Sequence, residues 1–444
     1  MNTPRILHGN NLDLLRTLPD NSIDSIVTDP PYELGFMGKK WDSTGIAYSV
    51  ELWSECLRVL KSGGHLLAFS GSRTYHRMVV AIEDAGFEIR DQIMWVYGSG
   101  FPKSLDISKA IDKAAGAERT VIGEKKQRAN SSASNIKMNA SAGEVELITA
   151  PATDEAQQWS GWGTALKPAH EPIVMARKPI DGTVANNVLK HGVGGINIDG
   201  CRVETTDNFD NVVGRPIQKL ATRREGETDD EYRSRVLESP AQQEALAKLK
   251  ELGRFPANFI HDGSEEVLAL FPDTKGGTAI RRNSGGNTFG GENKKPAMND
   301  LGYGDDGSAA RFFYCAKASK AERNAGLEGM PAEWKAAANF RPNHMEKALE
   351  GDSGNPFGRF QPTQNFHPTV KPIALMRYLV RLVTPPNGTV LDPFTGSGTT
   401  LVAAVLEGFN SIGMELTADY LPIINARVEW ALKQPREPEQ PTLF

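Results

Sequence analysis

The run Thr389-Val390-Leu391-Asp392-Pro393-Phe394-Thr395-Gly396-Ser397-Gly398-Thr399-Thr400 reads as a strand, a tight glycine turn and the start of a helix. No other stretch limits the fold as much. Glycines at such a turn let the backbone approach a ligand closely, at the carboxyl edge where open α/β sheets bind ligands. Roughly twenty residues further on, a second strand ends at Glu415, placed to accept hydrogen bonds from ribose hydroxyls. The loop lacks the Gly-Lys-Ser/Thr of a phosphate cradle. Acidic groups at both strand ends, Asp392 and Glu415, suit a sulfonium nucleoside better than a pyrophosphate, which they would repel. Taken alone, the Gly-x-Gly turn is equally readable as an ordinary turn.

Alternating segments surround this loop. The segment Ser25-Ile26-Val27-Thr28 reads as a short buried strand, ended by Asp29-Pro30-Pro31-Tyr32. A helix over about 50–60 closes at Gly63-Gly64, followed by a strand at 65–70, a helix at 75–85 and a strand at 88–96. Residues 127–143, rich in Ser, Asn and Ala without an apolar period, read as a loop. One more core strand falls at 172–176, and composition is irregular from 179 to 364. Within that stretch Thr228-Asp229-Asp230-Glu231 and Ser239-Pro240-Ala241-Gln242 read as capping boxes. A Gly- and Asn-dense segment, 276–307, carries Arg281-Arg282 and Lys294-Lys295. Alternation resumes with a helix at 372–383, a strand at 389–391, a helix at 400–408, a strand at 411–414 and a helix at 420–432. Strands alternating with helices imply a mostly parallel sheet covered on both faces.

The length of 444 residues allows two domains or one domain with a large insertion. No apolar run has membrane-spanning length and no signal peptide is evident, so a cytoplasmic protein is expected. The three cysteines, Cys56, Cys201 and Cys315, form no CxxC pair, which argues against a disulfide framework or a structural zinc. None follows a proline, which weakens any cytosine-C5 chemistry. The formal net charge of −5 gives no whole-molecule attraction for a polyanion, so nucleic-acid contacts must come from local basic patches.

Asp29-Pro30-Pro31-Tyr32 ends a strand on the sheet edge that carries the glycine loop. An aromatic amine is a poor nucleophile because its lone pair is delocalised into the ring. Two acceptors gripping both N–H hydrogens pull the nitrogen towards tetrahedral geometry and localise that pair. Asp29 supplies one acceptor and the Pro30 carbonyl the other, while Pro30 and Pro31 hold the loop extended without competing N–H donors. Tyr32 offers a flat face for a flipped-out base. The Asp29 carboxylate stabilises positive charge developing on nitrogen, and no metal is required. The bland alternative is a buried turn with a structural Asp.

At these residues the chain resembles the bacterial and phage DNA amino-methyltransferases of the permuted β group, in which the catalytic motif precedes the cofactor motif. Asp29-Pro-Pro-Tyr32 is similar to the family's catalytic motif, and residues 392–400 to its cofactor motif. Glu415 resembles the ribose-binding acid, and His367-Pro-Thr-Val-Lys371-Pro372 the segment that helps hold the methionine moiety. The likeness covers roughly 5–100, 159–180 and 365–432. It implies a Rossmann-like α/β fold with a seven-stranded mixed sheet, circularly permuted motif order and an inserted target-recognition region. The implied division is a catalytic half at 1–180 with a loop insertion at about 103–158, target recognition at 181–364, a cofactor half at 365–433 and a flexible tail at 434–444. The implied cofactor is S-adenosyl-L-methionine, contacted by Asp392, Phe394, Gly396, Ser397, Gly398, Thr399 and Glu415, with Thr369 and Lys371 from the methionine segment. One departure stands out: where the family often has Gly-Asp, with the Asp on the cofactor adenine, this chain has His8-Gly9-Asn10-Asn11. Asn10 would make a weakened contact.

The resemblance implies transfer to adenine N6 in duplex DNA by base flipping, since Asp rather than Ser precedes Pro-Pro-Tyr. The alternatives are cytosine N4, or an RNA or protein amide. Membership of a restriction–modification system and a monomer or homodimer are also expected. Arg281, Arg282, Lys294 and Lys295 are candidates for phosphate contacts, with Arg223 and Arg224 behind them. The final residues, Gln440-Pro-Thr-Leu443-Phe444, resemble short peptides that dock on the replication sliding clamp, although two apolar residues folded back on the protein's own surface would look the same.

Overall fold

All six side chains of Ile23–Thr28 are buried, as they must be in a parallel strand covered on both faces. The computed structural model describes residues 4–35, 40–98, 100, 104–126, 145–204, 226, 228, 231, 235, 238–240, 244, 247, 253–274, 279–281, 298–300, 307–316, 320–330 and 364–435. The strands used below are β1 (Arg5–His8), β2 (Ile23–Thr28), β3 (Leu60–Phe69), β4 (Glu88–Val96), β5 (Val121–Lys126), β6 (Val145–Thr149), β7 (His170–Arg177), β8 (Phe259–His261), β9 (Thr389–Asp392) and β10 (Asn410–Glu415). The helices are α1 (Asn11–Arg16), α2 (Val50–Val59), α3 (Tyr75–Asp84), α4 (Ile107–Ala115), α5 (Asp154–Gln158), α6 (Val184–His191), α7 (Ile373–Val383), α8 (Thr399–Leu406) and α9 (Leu421–Lys433).

The chain divides into two compact units, one of residues 1–197, 258–264 and 316–444, the other of 198–257 and 265–315. In the first, the main sheet runs β1-β10-β9-β2-β3-β7-β4-β8. β1, β10, β9, β2 and β3 are mutually parallel, β7 is antiparallel to both its neighbours, and β8 adds in parallel to β4. The seven strands expected are therefore present in a mixed sheet, and the short β8 extends it. From β9 the order runs outward to β10 and β1 on one side and to β2 and β3 on the other. This makes the β9/β2 seam a topological switch point, where the carboxyl ends of the strands open a crevice.

Two sets of helices cover this sheet. Leu15, Leu52, Trp53, Met78 and Ile82, from α1 to α3, share a core cluster with Ile26, Leu66, Val174, Leu391 and Met414 of the sheet. Ile373, Val402 and Ala431 form a separate cluster from α7, α8 and α9, and Leu401, Ile424 and Val428 another. Gly63-Gly64 does not close α2, as the sequence suggests, but lies inside β3. A Cβ on Gly64 would stand 2.8 Å from Leu60 Cγ and 2.9 Å from the Asp24 carbonyl, so a close strand approach excludes any side chain there.

The described parts of the insertion at 103–158 carry two helices and a hairpin. Asp106 caps α4 through the Lys109 N–H at 3.0 Å, and Gly116 ends it in the left-handed conformation. Buried Asp112 gathers Arg119 and the N–H groups of Ala152 and Thr153, which ties α4 to α5 beside the β5–β6 hairpin. Residues 127–143, read as a loop, lie outside the described residues.

The second unit is narrower than the 181–364 region assigned to target recognition from the sequence. Its 279–281 and 298–300 segments pair antiparallel, and the Arg254 guanidinium carbon lies 4.0 Å from the Phe312 ring centre. The first capping box closes reciprocally: Thr228 N–H donates to Glu231 Oε2 at 2.9 Å and Glu231 N–H to Thr228 Oγ1 at 3.3 Å. The second box lies partly outside the described residues, as do Arg223, Arg224, Arg282, Lys294, Lys295 and the tail with Gln440, Leu443 and Phe444. No described helix is long and apolar enough to cross a membrane.

Trp53 is fully buried and its indole N–H donates to the Ala47 carbonyl at 3.0 Å. Trp53→Ala is expected to lower the unfolding free energy by about 3–5 kcal/mol in urea titrations. A change within experimental error would contradict the core assignment.

Candidate active site

The two motif loops are joined where their strands end. β9 and β2 pair at Val390–Ser25 and Leu391–Ile26, and two residues later the Thr28 hydroxyl donates to Asp392 Oδ1 at 2.6 Å. The same oxygen accepts the Phe394 N–H at 3.1 Å, so Asp392 shapes the turn it opens. Asp392 is buried, and burial raises its carboxyl to about 6 against hydrogen bonds from Thr28, Thr400 and the Phe394 N–H.

Glu415, at the end of β10, braces the same turn. Its Oε2 accepts the Gly396 N–H at 2.8 Å and its Oε1 the Thr417 N–H at 2.7 Å. Gly396 (φ 55°) and Gly398 (φ 80°) both hold left-handed backbone, which favours glycine. A Cβ on Gly396 would lie 2.9 Å from His367 Nε2, so the imidazole packs directly on the glycine and leaves no room for a side chain there. Ser397 and Thr399 turn their hydroxyls inward to Arg427, whose Nη1 donates to both at 3.0 Å and to the Ser397 carbonyl at 2.7 Å. Gly398 is the N-cap of α8 and no side chain caps that end, which directs N–H groups into the crevice edge. Asn10 uses its amide oxygen to cap α1, accepting from Leu12 N–H at 2.9 Å and Asp13 N–H at 3.4 Å. Asn11 reaches across to donate to the Pro393 carbonyl at 3.2 Å.

Beside this turn stands the Asp29 loop. Lys371 Nζ donates to Asp29 Oδ2 at 2.6 Å and to the Tyr32 hydroxyl at 3.1 Å, and lies 3.3 Å from Glu171 Oε2. Tyr32 in turn donates its phenol proton to Glu171 Oε2 at 2.8 Å. The loop's exit is fixed by Asp42, which accepts the N–H groups of Glu33 at 2.9 Å and Leu34 at 3.2 Å. Asp29 Oδ1 is buried and has no hydrogen-bond partner among the described residues. Burial raises the Asp29 carboxyl above its ordinary range, the Lys371 charge opposes this and the Glu171 charge adds to it.

Lys371 and Thr369 occur in the segment expected at the methionine end of a cofactor. Lys371 is on Asp29, whereas Thr369 meets His367 Nδ1 with its carbonyl at 2.9 Å and its N–H at 3.4 Å. Nε2 faces Gly396. Burial lowers His367 to about 4, which keeps the ring neutral. Two contributors escape the motif reading, Glu171 and Arg427, and His367 lies within a motif but has no role of its own in that reading. Arg427 carried a signal, a lone charge within the apolar stripe Ile423, Ile424, Val428 and Ala431 of α9. Glu171 has less, an acid just before the apolar run Pro172–Ala176 of its strand.

The model of the DNA methylase family that groups N6 and N4 enzymes matches residues 23–426. The chain belongs to that family. Among curated relatives it is 31% identical over 152 residues to the type II methyltransferase M.HindIII of Haemophilus influenzae, covering 33% of this chain and 38% of the relative. It is 33% identical over 117 residues to M.HpaI of Haemophilus parainfluenzae, covering 24% of this chain and 36% of the relative. The matched segments thus span well under half of either relative. A solved complex of M1.HpyAVI with SAM aligns over 96% of this chain and 98% of its own, at 14% identity and a TM-score of 0.36.

A raised folded-state value for Asp392 means that the folded chain holds the proton more tightly than the unfolded chain. Its contribution to stability is therefore greatest at low pH, falls as pH rises from about 4 to about 6, and is level above. His367 and His65, both lowered to about 4 by burial, act in the opposite sense as pH falls below 6.5. Asp392→Asn keeps an acceptor for Thr28 and removes only the first effect. Between about pH 4 and about pH 7 the stability difference should move by about 3 kcal/mol in favour of the variant. A difference flat in pH, measured by denaturant unfolding, would contradict the buried-acid assignment.

Proposed function

We propose that the protein transfers a methyl group from S-adenosylmethionine to the exocyclic N6 amine of adenine in duplex DNA. The observation that carries this reading is the unpartnered, buried Oδ1 of Asp29 beside the glycine turn, in a chain of the N6/N4 DNA methylase family. The donor fits the cradle of the glycine turn and Glu415, where left-handed glycine backbone allows close approach, Glu415 offers carboxylate oxygens for ribose hydroxyls and the adjacent His367 is neutral. Bound there, it supplies an activated methyl on a positively charged sulfur. A base flipped against Tyr32 gives one amine N–H to Asp29 Oδ1 and the other to the Pro30 carbonyl. The lone pair then points away from the ring, and the carboxylate offsets the charge that develops on nitrogen. As the N–C bond forms, the methyl–sulfur bond would break with its electron pair left on a neutral thioether, one amine proton leaves, and Asp29, whose burial raises its affinity for a proton, is placed to take it. Adenine is favoured over cytosine because Asp precedes Pro-Pro-Tyr. We assign target recognition to the region between the two halves of the core.

With methyl-labelled donor and duplex DNA, nucleoside digestion should release label as N6-methyladenine. N4-methylcytosine would replace the base assignment, and no labelled nucleoside would end the reading. Asp29→Ala should cost at least about 3 kcal/mol in transition-state stabilisation while donor binding persists. Near-normal turnover by that variant would remove Asp29 from the chemistry.

The donor cradle has its own test. Gly396→Val places a branched side chain against His367 in strained backbone, and should raise the donor's dissociation constant about tenfold or more, about 1.4 kcal/mol. Unchanged calorimetric binding would mean that the turn is only a turn.

A further inference from the structure

Glu171 belongs to neither motif loop. It comes from β7, opposite Trp95 of β4, and its carboxylate reaches Tyr32 and Lys371. Tyr97, the residue after β4 ends, feels the same charge, which adds to burial in raising its phenol. Side chains of Asp29 and Glu171 are each 19% exposed and Lys371 is 9% exposed, so two carboxylates share one ammonium in a nearly closed space. One carboxylate would suffice to pair Lys371, and a second adds repulsion and desolvation.

The geometry points to a positioning role for Glu171 in amine methylation, a proposal that rests on reading Asp29 as the grip on the target amine. An ammonium has three protons, and Lys371 meets three acceptors: Asp29 Oδ2, the Tyr32 hydroxyl and Glu171 Oε2. Shared in this way, Lys371 engages Asp29 through one oxygen and leaves Oδ1 to an incoming N–H. Without Glu171, the ammonium is free to settle between both Asp29 oxygens and close that acceptor. Glu171 has a second effect through the phenol: a Tyr32 ring tethered at its hydroxyl at 2.8 Å presents a fixed face to the base, whereas an untethered ring can turn. Glu171 therefore sets both the open oxygen and the stacking plane without touching the amine.

The test compares Glu171→Ala and Glu171→Gln with Asp29→Ala and Tyr32→Phe in the full-length protein. Misplacing a catalytic group by about 1 Å costs about 100-fold, so Glu171→Ala should lower kcat by about that factor. KM for DNA, donor affinity by calorimetry, DNA affinity without donor and the unfolding midpoint should remain at wild-type values. Glu171→Gln keeps an acceptor for the Tyr32 hydroxyl and should recover part of the loss. Part of the loss runs through the phenol, so the combined Glu171→Ala, Tyr32→Phe variant should be less impaired than the product of the single losses. If Asp29→Ala is inactive while Glu171→Ala turns over normally, the positioning role is overturned and the grip survives. If Asp29→Ala is active, the underlying reading fails first. A Glu171→Ala defect that tracks lost donor affinity or lost stability, or one that multiplies independently with Tyr32→Phe, would reduce Glu171 to a structural residue and overturn the proposal.

Discussion

The ion pair between Lys371 and Asp29, at 2.6 Å, joins residues 342 positions apart and holds the two halves of the core to one task. Asp29 ends a strand near the start of the chain, and Lys371 precedes the first helix of the closing half. Without that contact the acidic loop would carry a buried charge with no cation, a cost of several kcal/mol for an isolated ion. The Thr28–Asp392 hydrogen bond performs the neutral part of the same work at the foot of the crevice. Together they fix the Asp29 loop against the glycine turn at the one seam where strand order reverses.

Around this seam burial and charge act against each other. Asp29, Asp392 and Glu415 are all raised by burial, which leaves the crevice rich in acceptors whose anionic forms are costly. The cations that serve it, Lys371 and Arg427, lie behind the loops. Arg427 supports the Ser397–Thr399 turn from below with its guanidinium buried, and its acidity increases to about 10 through that burial and the nearby Arg323. A crevice of this kind favours a cationic ligand over a phosphate, which agrees with the proposed donor.

What the sequence reveals follows from how local each signal is. The glycine turn, the Asp-Pro-Pro-Tyr loop and the flanking strands and helices are legible because apolar period and turn chemistry act within a few residues. α4 escaped, although Asp106 and Gly116 cap it, because Asp112 and Arg119 secure it through contacts that composition does not record. Gly63-Gly64 misled for a related reason: a glycine pair stops a helix in isolation, but here it serves a close strand approach set by Asp24 and Leu60. Within the candidate site, the sequence names the two motif loops but not their partnerships. Lys371, which the resemblance places on the cofactor, is paired with Asp29, and Glu171 lies in none of the named motifs. Those relations exist only after β7 and the 364–372 segment converge on the same sheet edge.

The most direct measurement is a crystal structure with an unreactive donor analogue such as sinefungin. The account predicts the analogue along Gly396–Gly398, its ribose on Glu415, with the amine that replaces the methyl group directed towards Asp29 Oδ1. An analogue bound elsewhere, or one lying in the crevice with its reactive end turned away from Asp29, would contradict it.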